Sequence, residues 1–347
     1  MSIKEHLGDV MKKLITTVLF SMLLIFLAAC GNETDTTENI TENKTVEEVS
    51  TLENGEFTKN TKVWDVINDP VFDGYGRLIF PADVTIDENL TLENVDELLK
   101  WYNCINPDKT VEIVNYMKSK AENGEVIFYD IYTDKEKQED PQKANTGLFF
   151  FKGNPGEKTA ITTAGGGFEY VGAMHDSFPL ALELSKKGYN AFAIIYRPSA
   201  ETGCQDLSRA VAFIHEHSGE LDISADNYSL WGGSAGATIV EWVGAYGTAQ
   251  FGAGEYPKPS AVIMQYMGVS GFPLSGDEAP TYACVGTADT VLDYTETVNK
   301  INAIKENGTA AEVEVFDGLP HGFGIGEGTV AEGWVDNAAA FWESMSE

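Results

Sequence analysis

Basic residues are scarce in this 347-residue chain: 23 Lys and Arg stand against 54 Asp and Glu, a formal net charge of −31 at pH 7. The deficit runs along the whole length. It argues against nucleic acid and anionic membrane surfaces as partners and leaves solubility as the plain reading of the charge. Cysteine is scarcer still, four in all. Cys104, Cys204 and Cys284 lie far apart, and no C-x-x-C spacing occurs, so neither a disulfide framework nor a cysteine metal site is encoded. A single bridge among those three stays open. Histidine is limited to five, and His215 and His217, two apart on a helical pattern, point in different directions and do not form a ligand pair. No metal or cofactor is called for. Repeats are absent, and long apolar runs are absent with one exception.

The exception is MKKLITTVLFSMLLIFLAAC, residues 11–30. Lys12 and Lys13 begin it, and the apolar core Leu14 to Leu27 is short for a membrane-spanning helix and suits a secretory signal. The closing LAAC resembles the lipobox of bacterial lipoproteins, which implies removal of residues 1–29 and a lipid on Cys30. Met11 then reads as the natural start of a leader over 11–29. The mature chain would sit outside the cytoplasmic membrane, touching it through that N-terminal lipid only. Residues 30–56, rich in Thr, Asn and Glu, lack the apolar surface to offset chain entropy and are expected to be a disordered acidic stalk. Residues 57–347 suffice for one large domain, with 57–123 as an N-terminal cap or as flanking helices.

From Glu125 onward, short apolar runs alternate with helical periodicity. EVIFYDI, TGLFFF, TAITTA, NAFAIIY, NYSLW, AVIMQY, TYACVG and AEVEVF read as strands. DSFPLALELSKKG, DLSRAVAFIHEHS, GATIVEWVGAYG and TETVNKINAIKENG read as helices, with TVAEGWVDNAAAFWESMS closing the chain. Within 57–123, NVDELLKWYNCI and KTVEIVNYMKSK look helical. Strands that are apolar throughout imply helices on both faces. The alternation predicts an α/β class, a mostly parallel doubly wound sheet whose first one or two strands form an antiparallel edge.

In such sheets active groups gather past the carboxyl ends of strands, and three polar side chains stand there. Ser234 lies in YSLWGGSAGATIVEW, between an apolar run and a helix, with Gly232, Gly233, Ala235 and Gly236 crowded around it. Small residues suit a sharp strand-to-helix turn that exposes a serine. A serine hydroxyl needs a base, and His321, in the loop DGLPHGFG after AEVEVF, is the candidate. His215 and His217 read as solvated helix-end residues, and His175 as a capping or surface residue. The base needs a carboxylate, for which Asp289 in TYACVGTADTVLDY is chosen over Asp293, expected inside the following helix. Gly165, Gly166 and Gly167 follow TAITTA directly. Their main-chain N–H groups, with that of Ala235, are placed to receive an oxyanion.

The stretches AGGGF, KKGYNAFAIIYRP, GGSAGA, VGTADTV and LPHGFG resemble the α/β-hydrolase superfamily, in particular its hormone-sensitive-lipase-like bacterial carboxylesterases and acetyl esterases, from about Thr146 to the C-terminus. The resemblance implies the α/β-hydrolase fold, with Ser234 as nucleophile, Asp289 as acid and His321 as base. It also implies an oxyanion hole of Gly166, Gly167 and Ala235, no cofactor, and a small-molecule or carbohydrate ester as substrate. One departure is Ala164, where the family often has His. A peptidase or thioesterase with the same triad is the rival enzyme, and a surface-binding lipoprotein the rival from another class.

Overall fold

In this computed structural model residues 52–53, 55–267 and 274–346 are described. The expected leader, the expected lipidation site Cys30 and most of the expected stalk lie outside them. Thr51–Glu347 forms one compact unit.

Leu52–Glu53 (β1) pairs antiparallel with Glu56–Phe57 (β2). Extended pairing therefore begins within the last residues of the expected stalk. The cause is Phe57, which is buried and exchanges two main-chain hydrogen bonds with the Asn115 amide, at 2.8 and 2.9 Å.

The main sheet holds Phe128–Tyr129 (β3), Gly147–Phe151 (β4), Lys158–Thr163 (β5), Asn190–Ile195 (β6), Ser224–Gly233 (β7), Ala261–Gln265 (β8), Thr281–Gly286 (β9) and Ala311–Phe316 (β10). Their order across the sheet is β10-β9-β8-β7-β5-β6-β4-β3. Every pair is parallel except β3–β4 and β4–β6, so the antiparallel start expected at the edge is present. β4, β6, β8 and β9 are buried at every residue, as strands covered on both faces must be. β10 instead exposes Glu312 and Val315, and its alternating glutamates suit an edge strand that must not recruit another chain.

Among the described residues the α-helices are Val63–Ile67 (α1), Pro107–Glu122 (α2), Asp134–Glu139 (α3), Ser177–Lys186 (α4), Ala200–Leu221 (α5), Ala235–Tyr246 (α6), Tyr294–Glu306 (α7) and Trp334–Ser344 (α8). Side chains set several of their starts: Asn106 caps α2 ahead of Pro107, Ser199 caps α5, and Asp293 caps α7, each accepting one of the N–H groups that a first turn leaves unpaired. Asp293 thus precedes its helix rather than lying inside it.

Two expected helices differ. NVDELLKWYNCI is a 3-10 stretch over Leu92–Leu98 followed by irregular chain, with Trp101 at φ 69° and Cys104 at φ 58°. Tertiary contacts described below override its helical pattern. The closing helix starts only at Trp334, because Gly326, Gly328 and Gly333 hold positive φ just before it.

The topology fixes where a site can form. From β5 the chain steps to β6 on one side, then crosses back to β7 on the other side of β5 and continues outward through β8, β9 and β10. The reversal opens a crevice at the carboxyl ends of β5 and β7. The glycine triplet follows β5, and Ser234 follows β7.

Candidate active site

Ser234 sits between β7 and α6 with φ 50° and ψ −119°, a conformation that costs a non-glycine residue energy and that packing must hold. Two glycines make this possible. A Cβ on Gly232 would lie 2.4 Å from the Gly236 carbonyl oxygen, and one on Gly236 would lie 2.1 Å from that of Thr163. The turn therefore folds back on itself and α6 starts in contact with β5. The Ser234 N–H is tied to the Gln265 carbonyl at 3.0 Å.

His321, in the loop after β10, and Asp289, past β9, meet this serine. The His321 Nδ1–H donates to Asp289 Oδ2 at 2.6 Å, and the Ser234 hydroxyl donates to His321 Nε2 at 3.0 Å. An ionised carboxylate only accepts, which fixes the proton on Nδ1 and leaves Nε2 free to accept. The other Asp289 oxygen accepts from the Val291 and Leu292 N–H groups at 2.8 and 2.9 Å, so the carboxylate has one orientation. Both side chains are almost wholly buried. Asp293 instead accepts from Thr295 as a helix cap, at 2.9 Å.

Across the crevice, the Gly165 N–H turns inward to Asp176 Oδ2 at 2.8 Å. Among the described residues no acceptor takes the N–H of Gly166, of Gly167 or of Ala235, the last at the first turn of α6. A Cβ on Gly165 would lie 2.7 Å from the Ser234 Cβ, so the loop and the serine turn are in contact. The structure thus brings together the six residues Ser234, Asp289, His321, Gly166, Gly167 and Ala235.

Other residues at the site escaped the sequence reading. Asp176 is 2% exposed and accepts from Gly165, from the Tyr102 hydroxyl (3.0 Å) and from the Tyr266 hydroxyl (3.0 Å). Burial raises its carboxyl from the ordinary value, and the three hydrogen bonds oppose that rise. Burial, then the nearby Asp176 charge, drives both phenols well above theirs, so they act as donors. Asn103 donates to the His321 carbonyl at 2.7 Å, and Trp101 stacks on Tyr170 at 6.0 Å between centroids. The irregular stretch around Trp101 is therefore held against the site itself. A carboxylate inside the largely apolar stretch VGAMHDSFPL was a usable signal for Asp176. Nothing local marked Tyr102 or Asn103.

The remaining histidines divide. His215 and His217 are half-buried near the end of α5, His217 within 3.2 Å of Glu220. His175, expected at a cap or on the surface, is instead buried, its Nε2 3.0 Å from the Gly322 carbonyl, because the loop carrying His321 folds over it. Burial lowers its imidazole to about 4. Tyr170 and Phe323 are core residues and Phe168 is half-buried. Cys104, Cys204 and Cys284 are all free thiols, so none bridges another.

Comparison with known proteins decides the fold. An acetyl ester-xyloside bifunctional hydrolase from Caldicellulosiruptor lactoaceticus superposes with a TM-score of 0.55 at 20% identity, over 63% of this chain and 96% of its own. The propionate-bound esterase Est2 of Thermogutta terrifontis gives 0.51 at 18%, over 58% and 89%. MGS-M1, an alpha/beta hydrolase enzyme from a Medee basin deep-sea metagenome library, gives 0.50 at 17%, over 58% and 92%. This chain has the α/β-hydrolase fold. The BD-FAE family matches residues 152–265, the part of the α/β-hydrolase fold that carries the glycine loop and the serine turn. No curated protein sequence matches the chain.

Proposed function

We propose that this chain is a serine carboxylic-ester hydrolase acting on short acyl esters, acetyl esters of carbohydrates among them, while tethered outside the cytoplasmic membrane by a lipid on Cys30. The observation that carries the reading is the hydrogen-bonded series Asp289–His321–Ser234 at a strained turn, beside the Gly166, Gly167 and Ala235 N–H groups, which have no acceptor among the described residues. In this mechanism His321 Nε2 takes the Ser234 proton as Oγ attacks the ester carbonyl. The carbonyl oxygen becomes an oxyanion that the N–H groups of Gly166, Gly167 and Ala235 receive. Asp289 holds the imidazolium in place. His321 then protonates the leaving alcohol, and water attacks the acyl-enzyme by the same route in reverse. The acetyl and sugar preference rests on the resemblance to acetyl esterases, and is supported by the name of the Caldicellulosiruptor hydrolase, an acetyl ester-xyloside enzyme with this fold.

The chain without its leader is expected to release p-nitrophenol from the acetate and butyrate esters, and acetate from acetylated xylo-oligosaccharides. Ser234→Ala should lower kcat by about 10⁴-fold or more. Equal turnover by both proteins, or none by either, would reject the reading. The tether is tested by Cys30→Ser in the full chain, which should move the protein from the membrane fraction to the medium.

A further inference from the structure

Asp176 has no place in the proton relay, yet it is the most heavily bonded buried carboxylate beside it. Its three donors come from three separate parts of the chain: Tyr102 from the N-terminal region, Gly165 from the loop after β5, and Tyr266 from just beyond β8. It stands at the head of α4 but makes no capping hydrogen bond there, so helix capping does not account for it. A buried carboxylate is costly to desolvate and persists only where its partners offset that cost. A Cβ on Gly233 would fall 2.5 and 2.6 Å from its two oxygens. The carboxylate thus occupies the space that a side chain would take on the residue just before Ser234, and it grips the glycine loop through Gly165.

We propose that Asp176 is the positioning residue of this site. Resting on the esterase reading above, its role is to lock the Gly165–Gly167 loop against the Ser234 turn so that the Gly166 and Gly167 N–H groups point at the developing oxyanion. By drawing the Gly165 N–H inward, it fixes the direction in which the next two amides face. The role is one of hydrogen-bond geometry. An asparagine can keep it, because its carbonyl accepts from Gly165 and Tyr102, while its NH₂ donates to the Tyr266 oxygen.

The test compares Asp176→Asn and Asp176→Ala in the full chain, by p-nitrophenyl acetate kinetics and by amide hydrogen exchange over residues 165–172. Losing one oxyanion donor typically lowers kcat by about 10²–10³-fold, and a misplacement of about 1 Å can lower it about 10²-fold. Asp176→Ala is therefore expected to lose about 10²-fold in kcat, with KM within about threefold, and to exchange faster across 165–172. Asp176→Asn should stay within about fivefold of wild type in kcat and keep the wild-type exchange pattern. Alanine with wild-type kcat and exchange, or asparagine as impaired as alanine, would overturn the proposal. If the alanine variant does not fold, Tyr102→Phe combined with Tyr266→Phe takes its place, and unchanged kcat and exchange in that protein would likewise overturn it. If the wild-type chain hydrolyses no ester, the functional reading falls by itself. The exchange comparison still decides whether Asp176 holds the loop.

Discussion

Two aspartates separated by four positions divide the work at the end of β9. Asp289 turns one oxygen to the His321 Nδ1–H and gives the other to two main-chain amides, whereas Asp293 closes the first turn of α7. Variants of the two should therefore separate cleanly. Asp289→Asn keeps the size but offers an NH₂ to a ring nitrogen that must donate, which disfavours the productive tautomer, and kcat should fall by about 10⁴-fold. Asp293→Ala removes a cap, should lower the urea midpoint, and should leave kcat within about twofold. Steady-state kinetics and urea titration of the two variants check this, and a large kcat loss in Asp293→Ala would reverse the assignment. Ser234, Asp289 and His321 were legible because each lies in a turn or loop just past a readable strand, with small or turn residues around it. Tyr102 and Asp176 are joined across 74 positions and Tyr266 and Asp176 across 90. Pairing at that range leaves no local pattern to read.

The elements obey packing more than propensity. Most strands and helices after Glu125 were readable because their apolar period matches how each is covered, whereas the polar helix α3 has no buried residue and carried no such signal. The stretch 94–105 was not, since its helical period gives way to anchors on the other side of the crevice, Tyr102 on Asp176 and Asn103 on the His321 carbonyl. Glycine shows the same rule inside helices. Gly219 in α5 has nothing within 4 Å of where a Cβ would sit, so alanine there gains helix propensity and should stabilise the chain by about 0.5–1 kcal/mol. A Cβ on Gly236, in the first turn of α6, would lie 2.1 and 2.7 Å from the Thr163 and Ala164 carbonyl oxygens. Alanine there must push α6 off β5, at about 1–3 kcal/mol or more, and it displaces Ser234 with the helix. Gly219→Ala should raise Tm and keep kcat, and Gly236→Ala should lower both. Thermal unfolding and p-nitrophenyl acetate turnover measure the contrast, and a neutral Gly236→Ala would contradict the close strand–helix contact.

At the scale of the whole molecule, the site is a seam: residues near Trp101 from the N-terminal region close against the loop of His321. His175 lies in that seam, with its ring edge-on to Tyr102 at 5.2 Å and its Nε2 against the Gly322 carbonyl. Burial lowers its pKa from 6.5 to about 4, against the opposing pull of the Gly322 and Asn103 main chain. The folded chain therefore keeps this imidazole neutral where the unfolded chain protonates it. Between about pH 6.5 and pH 4 the unfolded state holds more protons, so stability falls as pH falls through that window and is fully present above it. A separation of about 2.5 pKa units corresponds to about 3 kcal/mol. Carboxylates titrate near the lower end of the same window, so the contribution is read as a difference between proteins. His175→Gln retains a donor for the Gly322 carbonyl but does not titrate. It should be less stable than wild type at pH 7.5 and should lose about 3 kcal/mol less on going to pH 4. Urea midpoints at half-unit pH steps give both slopes. Parallel slopes for the two proteins would mean that the seam admits a charged imidazole, and that the His321 loop does not seal His175 from water.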